Sequence, residues 1–98
     1  MSDGEPEVER EEHATGGRYL ITVDGHVAEM TYSRAGTGLM IIDHTGVPDE
    51  LRGRRLGSHL VRRAVQDARD ENLKIIPLCP FAATEFRRHP EYQDVLSK

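Results

Sequence analysis

The feature that most constrains this fold is a strand–helix–strand pattern in the second half of the chain. Leu39-Met40-Ile41-Ile42 is a continuous apolar run, and a second short run, Lys74-Ile75-Ile76-Pro77, lies downstream. Between them, residues 56–68 place apolar side chains at helical spacing, and Asn72 suits a left-handed cap at the helix end. Strands joined through a helix run parallel in one sheet. The pattern therefore predicts two parallel strands, the first of them covered on both faces.

Two antiparallel strands are predicted before this unit. Residues 19–23 and 28–32 alternate in the manner of strands, and Asp24-Gly25 between them is a strong hairpin turn. Gly36-Thr37-Gly38 marks the next turn. A short helix is expected near the C-terminus, ending at His89-Pro90. The predicted order is β-β-β-α-β-α, in a small α/β (α+β) domain with a mixed sheet.

The first residues of the chain are strongly acidic. Residues 1–12 contain six carboxylates, one basic residue (Arg10) and no apolar periodicity. We therefore predict that residues 1–14 form a disordered acidic tail and that residues 15–98 form one folded domain. Residues 1–12 carry a net charge of −5 and the whole chain has a net charge of −4, so the remaining residues carry about +1 and the folded part is close to neutral.

Several classes of protein are disfavoured by composition. Cys79 is the single cysteine, so no intramolecular disulfide is expected. No segment resembles a signal peptide or a membrane span, so we expect a cytoplasmic protein without a membrane partner. The five histidines are scattered and no Cys-x-x-Cys is present, so no metal is expected. An exposed edge strand leaves a monomer or a weak dimer open.

A loop rich in arginine and glycine connects the first parallel strand to the helix. It reads Arg52-Gly53-Arg54-Arg55-Leu56-Gly57-Ser58. A glycine turn brings the backbone close to a ligand, and the start of a helix presents unpaired N–H groups at its positive end, so the loop favours a phosphate. The alternatives are a solvated connection and a nucleic-acid patch completed by Arg62 and Arg63. Nucleic acid is the weaker alternative, because the folded part is near neutral and has few aromatic residues.

Two segments together resemble the GNAT superfamily of N-acetyltransferases. Arg52 to Gly57 resembles its Arg/Gln-x-x-Gly-x-Gly/Ala motif, whose amides hold the pyrophosphate of coenzyme A, with Arg55 in place of the central glycine. Residues 75–82, followed by Phe86 and His89-Pro90-Glu91-Tyr92, resemble the YjdJ-type subfamily of small acetyltransferase-like domains. The resemblance covers residues 18–96.

The resemblance implies that acetyl-CoA or coenzyme A is the cofactor. In the superfamily the two parallel strands splay apart, and the pantetheine arm lies against the open edge of the first strand, which corresponds here to Asp43 to Val47. Full-sized members carry additional N-terminal helices that shape the acceptor site, so in this chain that site is expected to be open or completed by a partner. The expected cofactor-binding residues are Thr45 and Val47, through their backbone, and Arg52, Gly53, Arg54, Arg55, Leu56, Gly57 and Ser58.

Cys79 and His44 are the candidate catalytic residues. Cys79 stands at the carboxyl end of a parallel strand, where ligands gather in open α/β sheets, and the resemblance implies that it gives a proton to the departing CoA. A buried structural cysteine, proton donation by Tyr92 and catalysis by positioning alone are the alternatives. His44 is a candidate base for the amine, or an exposed polar residue without a role. Phe81, Phe86 and Tyr92 are expected to pack the terminal helix against the sheet.

The sequence therefore predicts an acetyl-CoA-binding, N-acetyltransferase-like enzyme. Its acceptor is an amine of an unidentified small molecule or protein. The alternative from another class is a non-catalytic module that binds CoA or another protein, which the missing acceptor-site helices and the replaced glycine both favour. Turnover of acetyl-CoA with a panel of amines distinguishes the two.

Overall fold

A five-stranded mixed sheet and two α-helices make up the fold in the computed structural model, which describes residues 6–97. The strands lie in chain order across the sheet; neighbours are antiparallel, except the last two strands, which are parallel. The elements are β1 (Glu9–His13), β2 (Gly16–Val23), β3 (His26–Ala35), β4 (Leu39–Gly46), α1 (Leu56–Glu71), β5 (Lys74–Pro77) and α2 (Pro80–Arg88), with 3-10 helices at Asp49–Leu51 and Pro90–Val95.

The predicted fold class is confirmed, because the order β-β-β-α-β-α corresponds to β2, β3, β4, α1, β5 and α2. Asp24 and Gly25 both have positive φ, as the predicted hairpin between β2 and β3 requires. Asn72 caps α1 in the left-handed conformation, and the amide of Leu73 donates to the carbonyl of Ala68 at 2.8 Å. These turns are specified by local residues, which is why their positions agree with the sequence.

The core lies on one face of the sheet, here called the inner face. Both helices add their apolar residues to this core, with Leu60, Val61 and Ala64 of α1 fully buried. The expectation that β4 is covered on both faces is wrong, because Met40 and Ile42 are buried whereas Ile41 is only half-buried. The opposite face is here called the open face. The inner face is formed by Tyr19, Ile21, Ala28, Met30, Tyr32, Met40, Ile42 and Ile75.

A β-bulge interrupts β4 at Asp43. Tyr32 lies opposite Ile42 and Thr31 lies opposite His44, so Asp43 has no partner in β3. The extra residue shifts the alternation of side chains along the strand. Thr45 therefore faces inward, opposite Met30, and His44 lies on the open face.

The two parallel strands separate beyond the bulge. The pairing of β4 with β5 ends at Ile42 and Pro77, whereas the pairing of β4 with β3 continues to Gly46. The amides of Leu78 and Cys79 both donate to the carbonyl of Ile42, at 3.1 and 3.2 Å. The last residues of β4 thus have one paired edge and one edge beside a gap.

The prediction of a disordered tail over residues 1–14 is wrong for residues 9–13, which form β1. Every residue of β1 has a partner in β2, from Glu9 opposite Leu20 to His13 opposite Gly16. Residues 1–5 lie outside the described range, and so does residue 98. The acidic composition predicts a solvated segment. Composition does not show that Arg10, the single arginine in this segment, binds residues elsewhere in the fold.

Arg10 holds β1 against the helical layer. Its guanidinium donates to Asp67 and Glu71 of α1, at 3.1 and 2.6 Å, and to the hydroxyl of Tyr32 at 3.0 Å. Its carbon lies 5.4 Å from the centre of the Tyr19 ring, as in a cation–π contact. Burial alone would lower the pKa of Arg10, but the hydrogen bonds to Glu71 and Tyr32 raise it above its ordinary value. Attraction between β1 and α1 thus offsets the repulsion within the acidic segment.

Replacing Arg10 by alanine is expected to destabilise the domain by about 2 kcal/mol, because Asp67 and Glu71 each lose one of their two arginine partners, and the lost side chain is only 15% exposed. Arg18→Ala is the matched control, since Arg18 also pairs with two carboxylates but is 40% exposed. It should change stability far less. Urea denaturation measures both variants. Equal effects would show that burial does not strengthen the Arg10 interactions.

Stability is expected to fall in acid. The hydroxyl of Tyr32 donates to Glu12 at 2.7 Å and holds the pKa of Glu12 below its ordinary value of 4.5, and Arg10 lowers the pKa of Glu71 in the same way. A carboxyl whose pKa is lower in the folded state stabilises the fold above its unfolded pKa, and that contribution is lost as pH falls through the folded value.

The urea midpoint should therefore stay nearly constant from about pH 7 to pH 5 and fall below about pH 4.5. Glu12→Gln should reduce the acid dependence, because one of the two carboxyls no longer titrates. A midpoint that stays constant to about pH 3 in the unsubstituted protein would contradict this assignment.

Candidate functional site

A cavity of about 320 Å³ lies between the end of β4 and the start of α1. It opens at the point where β4 and β5 separate. All of the predicted cofactor-binding residues except Arg54 line it. The complete lining is Thr45, Val47, Leu51, Arg52, Gly53, Arg55, Leu56, Gly57, Ser58 and Phe81.

The N-terminus of α1 faces this cavity. The amide of His59 donates to the carbonyl of Arg55, the N-cap residue, at 3.2 Å. The amides of Leu56, Gly57 and Ser58 precede that bond and have no carbonyl within the helix to bind. Unpaired N–H groups and the positive end of the helix dipole make this end of the cavity suitable for an anion.

Arg55 has a left-handed backbone, with φ 60° and ψ 28°. This position is the one at which the motif has glycine, and a left-handed conformation is the one that glycine adopts without strain. For an arginine, the same conformation costs about 1–2 kcal/mol. Gly53 also has a positive φ, at 85°, so two residues of the loop have positive φ. The glycine-like backbone is thus kept although the glycine is absent.

Gly57 is in contact with Phe81 of α2. A Cβ atom at Gly57 would lie 2.6 Å from the Phe81 ring, so no larger residue fits there without movement of the ring. Phe86 and Tyr92 are buried, as expected, but Phe81 is 39% exposed and lines the cavity. From the sequence, Phe81 was expected only to pack the terminal helix against the sheet. Its place in the first turn of the helix that follows β5 was the available signal, since ligands collect at the carboxyl ends of parallel strands.

Cys79 lies immediately behind the cavity wall. It is 7% exposed and caps α2, where the amide of Ala82 donates to Sγ at 3.4 Å. The Oγ1 atom of Thr45 lies 3.4 Å from the same sulfur. Thr45 lines the cavity and Cys79 does not, so the thiol is next to a cavity-lining residue without lining the cavity itself.

His44 lies on the other side of the sheet from Cys79. It is exposed, and its Nε2 atom is 3.2 Å from the position that a Cβ of Gly46 would occupy, so the ring lies alongside Gly46 on the open face. The structure therefore does not bring the two candidate catalytic residues together. Each of them adjoins a different surface of the same strand.

Across residues 6–97, no three histidine, cysteine, aspartate or glutamate side chains are grouped so that they could hold a metal ion. No helix in that range combines the length and the apolar character needed to cross a membrane.

Arg55→Gly is expected to be more stable than Arg55→Ala by about 1 kcal/mol, because alanine keeps the strained left-handed backbone and glycine does not. Both variants lose the guanidinium, so the comparison isolates the backbone. Thermal and urea denaturation of the two variants provide the measurement. An alanine variant that equals or exceeds the glycine variant would show that residue 55 is not left-handed in solution.

Comparison with known proteins identifies the family. The model of the GCN5-related N-acetyl-transferase family matches residues 18–95. The solution structure of a Staphylococcus aureus protein assigned as a GCN5-like N-acetyltransferase is similar to this chain, with a TM-score of 0.71 and 37% sequence identity over 91% of this chain and 87% of that chain. The resemblance to the GNAT superfamily inferred from the two motif segments is thereby confirmed. This chain belongs to the family of GCN5-related N-acetyltransferases.

Proposed function

We propose that the protein binds acetyl-CoA in the cavity between β4 and α1 and transfers the acetyl group to an amine. The observation that supports this most is the shared position of three features. The free N-terminus of α1, the left-handed loop at Arg55 and the unpaired edge of β4 all border one cavity of about 320 Å³. The start of α1 and the loop suit the phosphates of acetyl-CoA, and the edge of β4 suits its pantetheine arm.

The phosphates fit the start of α1. The amides from Leu56 to Ser58 can donate to the pyrophosphate, and the guanidinium groups of Arg52 and Arg55 add positive charge at the same end. Arg52 also pairs with Asp49 at 2.7 Å, but its side chain is 73% exposed and free to turn toward a ligand. Arg54 does not line the cavity and is not part of this proposed binding set.

The pantetheine arm fits the edge of β4. Beyond Ile42 this edge has no partner in β5, and backbone amides and carbonyls that lack a partner are costly when a ligand excludes water. A ligand with two amide groups can replace the missing strand. We assign this contact to the backbone of Thr45 and Val47, which both line the cavity.

The transfer forms one bond and breaks another. An uncharged amine nitrogen attacks the thioester carbonyl, the new N–C bond forms, the C–S bond breaks, and the products are an N-acetylated amine and CoA thiol. We assign the proton removed from nitrogen to His44 or water, on the open face. We assign the proton given to the departing sulfur to Cys79, whose sulfur lies 3.4 Å from Oγ1 of Thr45, a residue that lines the cavity.

Calorimetric titration with acetyl-CoA, CoA and a phosphate-free pantetheine analogue tests the site. Acetyl-CoA and CoA should bind with similar affinity, and the analogue should bind at least about tenfold more weakly because it lacks charged hydrogen bonds to the start of α1. Arg52→Ala and Arg55→Gly should each weaken CoA by about tenfold. Arg54→Ala is the matched control, since it removes the same charge from outside the cavity.

Acetyl transfer is then measured with a panel of amines by detection of CoA thiol and of the acetylated product. Cys79→Ala should lower kcat by about a hundredfold or more while leaving CoA affinity unchanged. Full activity in this variant would contradict the role of the thiol and favour catalysis by positioning. CoA binding without turnover of any amine would instead favour a non-catalytic CoA-binding module, and no CoA binding would favour a protein-interaction module.

A further inference from the structure

The hydroxyl of Thr45 lies in a layer where most side chains are apolar. The bulge at Asp43 turns Thr45 inward, opposite the fully buried Met30. Its Oγ1 atom lies 3.4 Å from the sulfur of Cys79, and the described part of the chain shows no other hydrogen bond of this hydroxyl. The backbone of Thr45 is assigned to the pantetheine arm, which leaves the hydroxyl without a function.

The thiol of Cys79 is held in place by backbone hydrogen bonds. The amide of Cys79 donates to the carbonyl of Ile42 at 3.2 Å, and its carbonyl accepts the amide of Ala83 at 3.0 Å. Its sulfur accepts the amide of Ala82 at 3.4 Å, as the cap of α2. Because these bonds fix the residue on both sides of its Cα atom, the sulfur stays beside the hydroxyl of Thr45.

The two polar neighbours of the sulfur differ in chemistry. A backbone amide can only donate, so the amide of Ala82 bonds to the sulfur in the same way with or without the thiol proton. A hydroxyl can both donate and accept. The hydroxyl of Thr45 can therefore accept from the S–H group and then donate to the sulfur once the proton has left. Within the described residues, these two groups are the hydrogen-bond partners of the sulfur.

We propose that Thr45 is a positioning residue, whose hydroxyl orients the thiol of Cys79 for proton donation. This inference rests on the proposed acetyl transfer. In that reaction the S–H bond of Cys79 breaks, an S–H bond forms on CoA, and the sulfur of Cys79 carries the negative charge until water returns a proton. Hydrogen bonds to ionised groups are stronger than those between neutral groups, so the hydroxyl stabilises the state that follows proton transfer.

Two substitutions separate this role from a role in packing. Thr45→Val removes the hydroxyl and keeps a β-branched side chain of similar shape, whereas Thr45→Ser keeps the hydroxyl and removes a methyl group. If Thr45 only fills space, the serine variant is the more disturbed of the two. If it orients the thiol, the valine variant is. Thr22→Val is the matched control, because it makes the same change at an exposed position of β2.

The hydrogen bond is tested first, without any cofactor. Cys79 is the single cysteine, so protein labelled with carbon-13 at the cysteine Cβ gives one NMR resonance, which is followed against pH. In Thr45→Val the midpoint of its transition should lie about one pH unit higher than in the unsubstituted protein, because the ionised sulfur loses a charge-assisted hydrogen bond. Thr45→Ser and Thr22→Val should have nearly the midpoint of the unsubstituted protein.

Other ionisable groups stay the same in these variants, so the difference between midpoints reports on residue 45. None of those on the elements that meet at Cys79 bonds to its sulfur, namely Asp43 and His44 of β4, Lys74 of β5, and Glu85, Arg87 and Arg88 of α2. Thermal unfolding shows that each variant is folded. Equal midpoints in Thr45→Val and the unsubstituted protein would overturn the proposal.

Turnover is tested second, so that the two proposals can fail separately. With acetyl-CoA and an amine that the protein acetylates, Thr45→Val should lower kcat by about tenfold and leave the affinity for CoA unchanged, because the backbone of residue 45 is kept. Thr45→Ser should keep kcat within about threefold of the unsubstituted protein. Unchanged kcat in Thr45→Val would overturn the inference.

A double-mutant cycle shows whether Thr45 acts through Cys79. In a Cys79→Ala protein, Thr45→Val should have no further effect on kcat, because the thiol that the hydroxyl orients is absent. A further loss of about tenfold would show that Thr45 acts independently of the thiol and would overturn the inference. A raised midpoint in a protein that acetylates no amine would support the hydrogen bond and overturn the acetyl transfer.

Discussion

The carbonyl of Ile42 is the point on which the rest of the site depends. It accepts the amides of both Leu78 and Cys79, and these bonds end the parallel ladder. One residue further along β4, the bulge at Asp43 changes which side chains face inward. Together, the end of the ladder and the bulge open the gap, place Thr45 beside Cys79 and put His44 on the opposite face. A regular pair of strands of the same length would leave neither a cavity nor an unpaired edge.

The core of the domain lies on one face of the sheet only, which limits the stability that the other face can supply. Both helices cover the inner face, so the open face contributes little to stability and remains accessible. Arg10 compensates in part, because it joins β1 to α1 across the inner layer through two carboxylates and a tyrosine hydroxyl. Because the open face is left uncovered, the hydrogen bonds of Arg10 at the margin of the core supply part of the stability.

Sequence reasoning succeeded where the signal is local and failed where it is not. The hairpin at Asp24-Gly25 and the cap at Asn72 are specified by the residues themselves, and both were predicted. Strand β1 was missed because the residues that hold Arg10 lie 57 and 61 positions away, in a helix predicted only as an amphipathic element. Composition cannot show such pairings. For the site, the loop motif indicated most of the cavity lining, whereas Phe81 and the separation of His44 from Cys79 depend on packing and on the bulge.

The ends of the sheet have a consequence for how copies of this protein meet in a concentrated solution. At one end, all five residues of β1, Glu9 to His13, have ionisable side chains, and charge on an edge strand discourages pairing with a strand of another molecule. At the other end, Leu96 bridges to Ile75 of β5, and the amide of Ser97 donates to the carbonyl of Ile75 at 2.9 Å. The chain's own C-terminal segment therefore occupies part of the edge that another molecule would use. With one end charged and the other partly covered, the sheet resists edge-to-edge aggregation while its open face remains accessible.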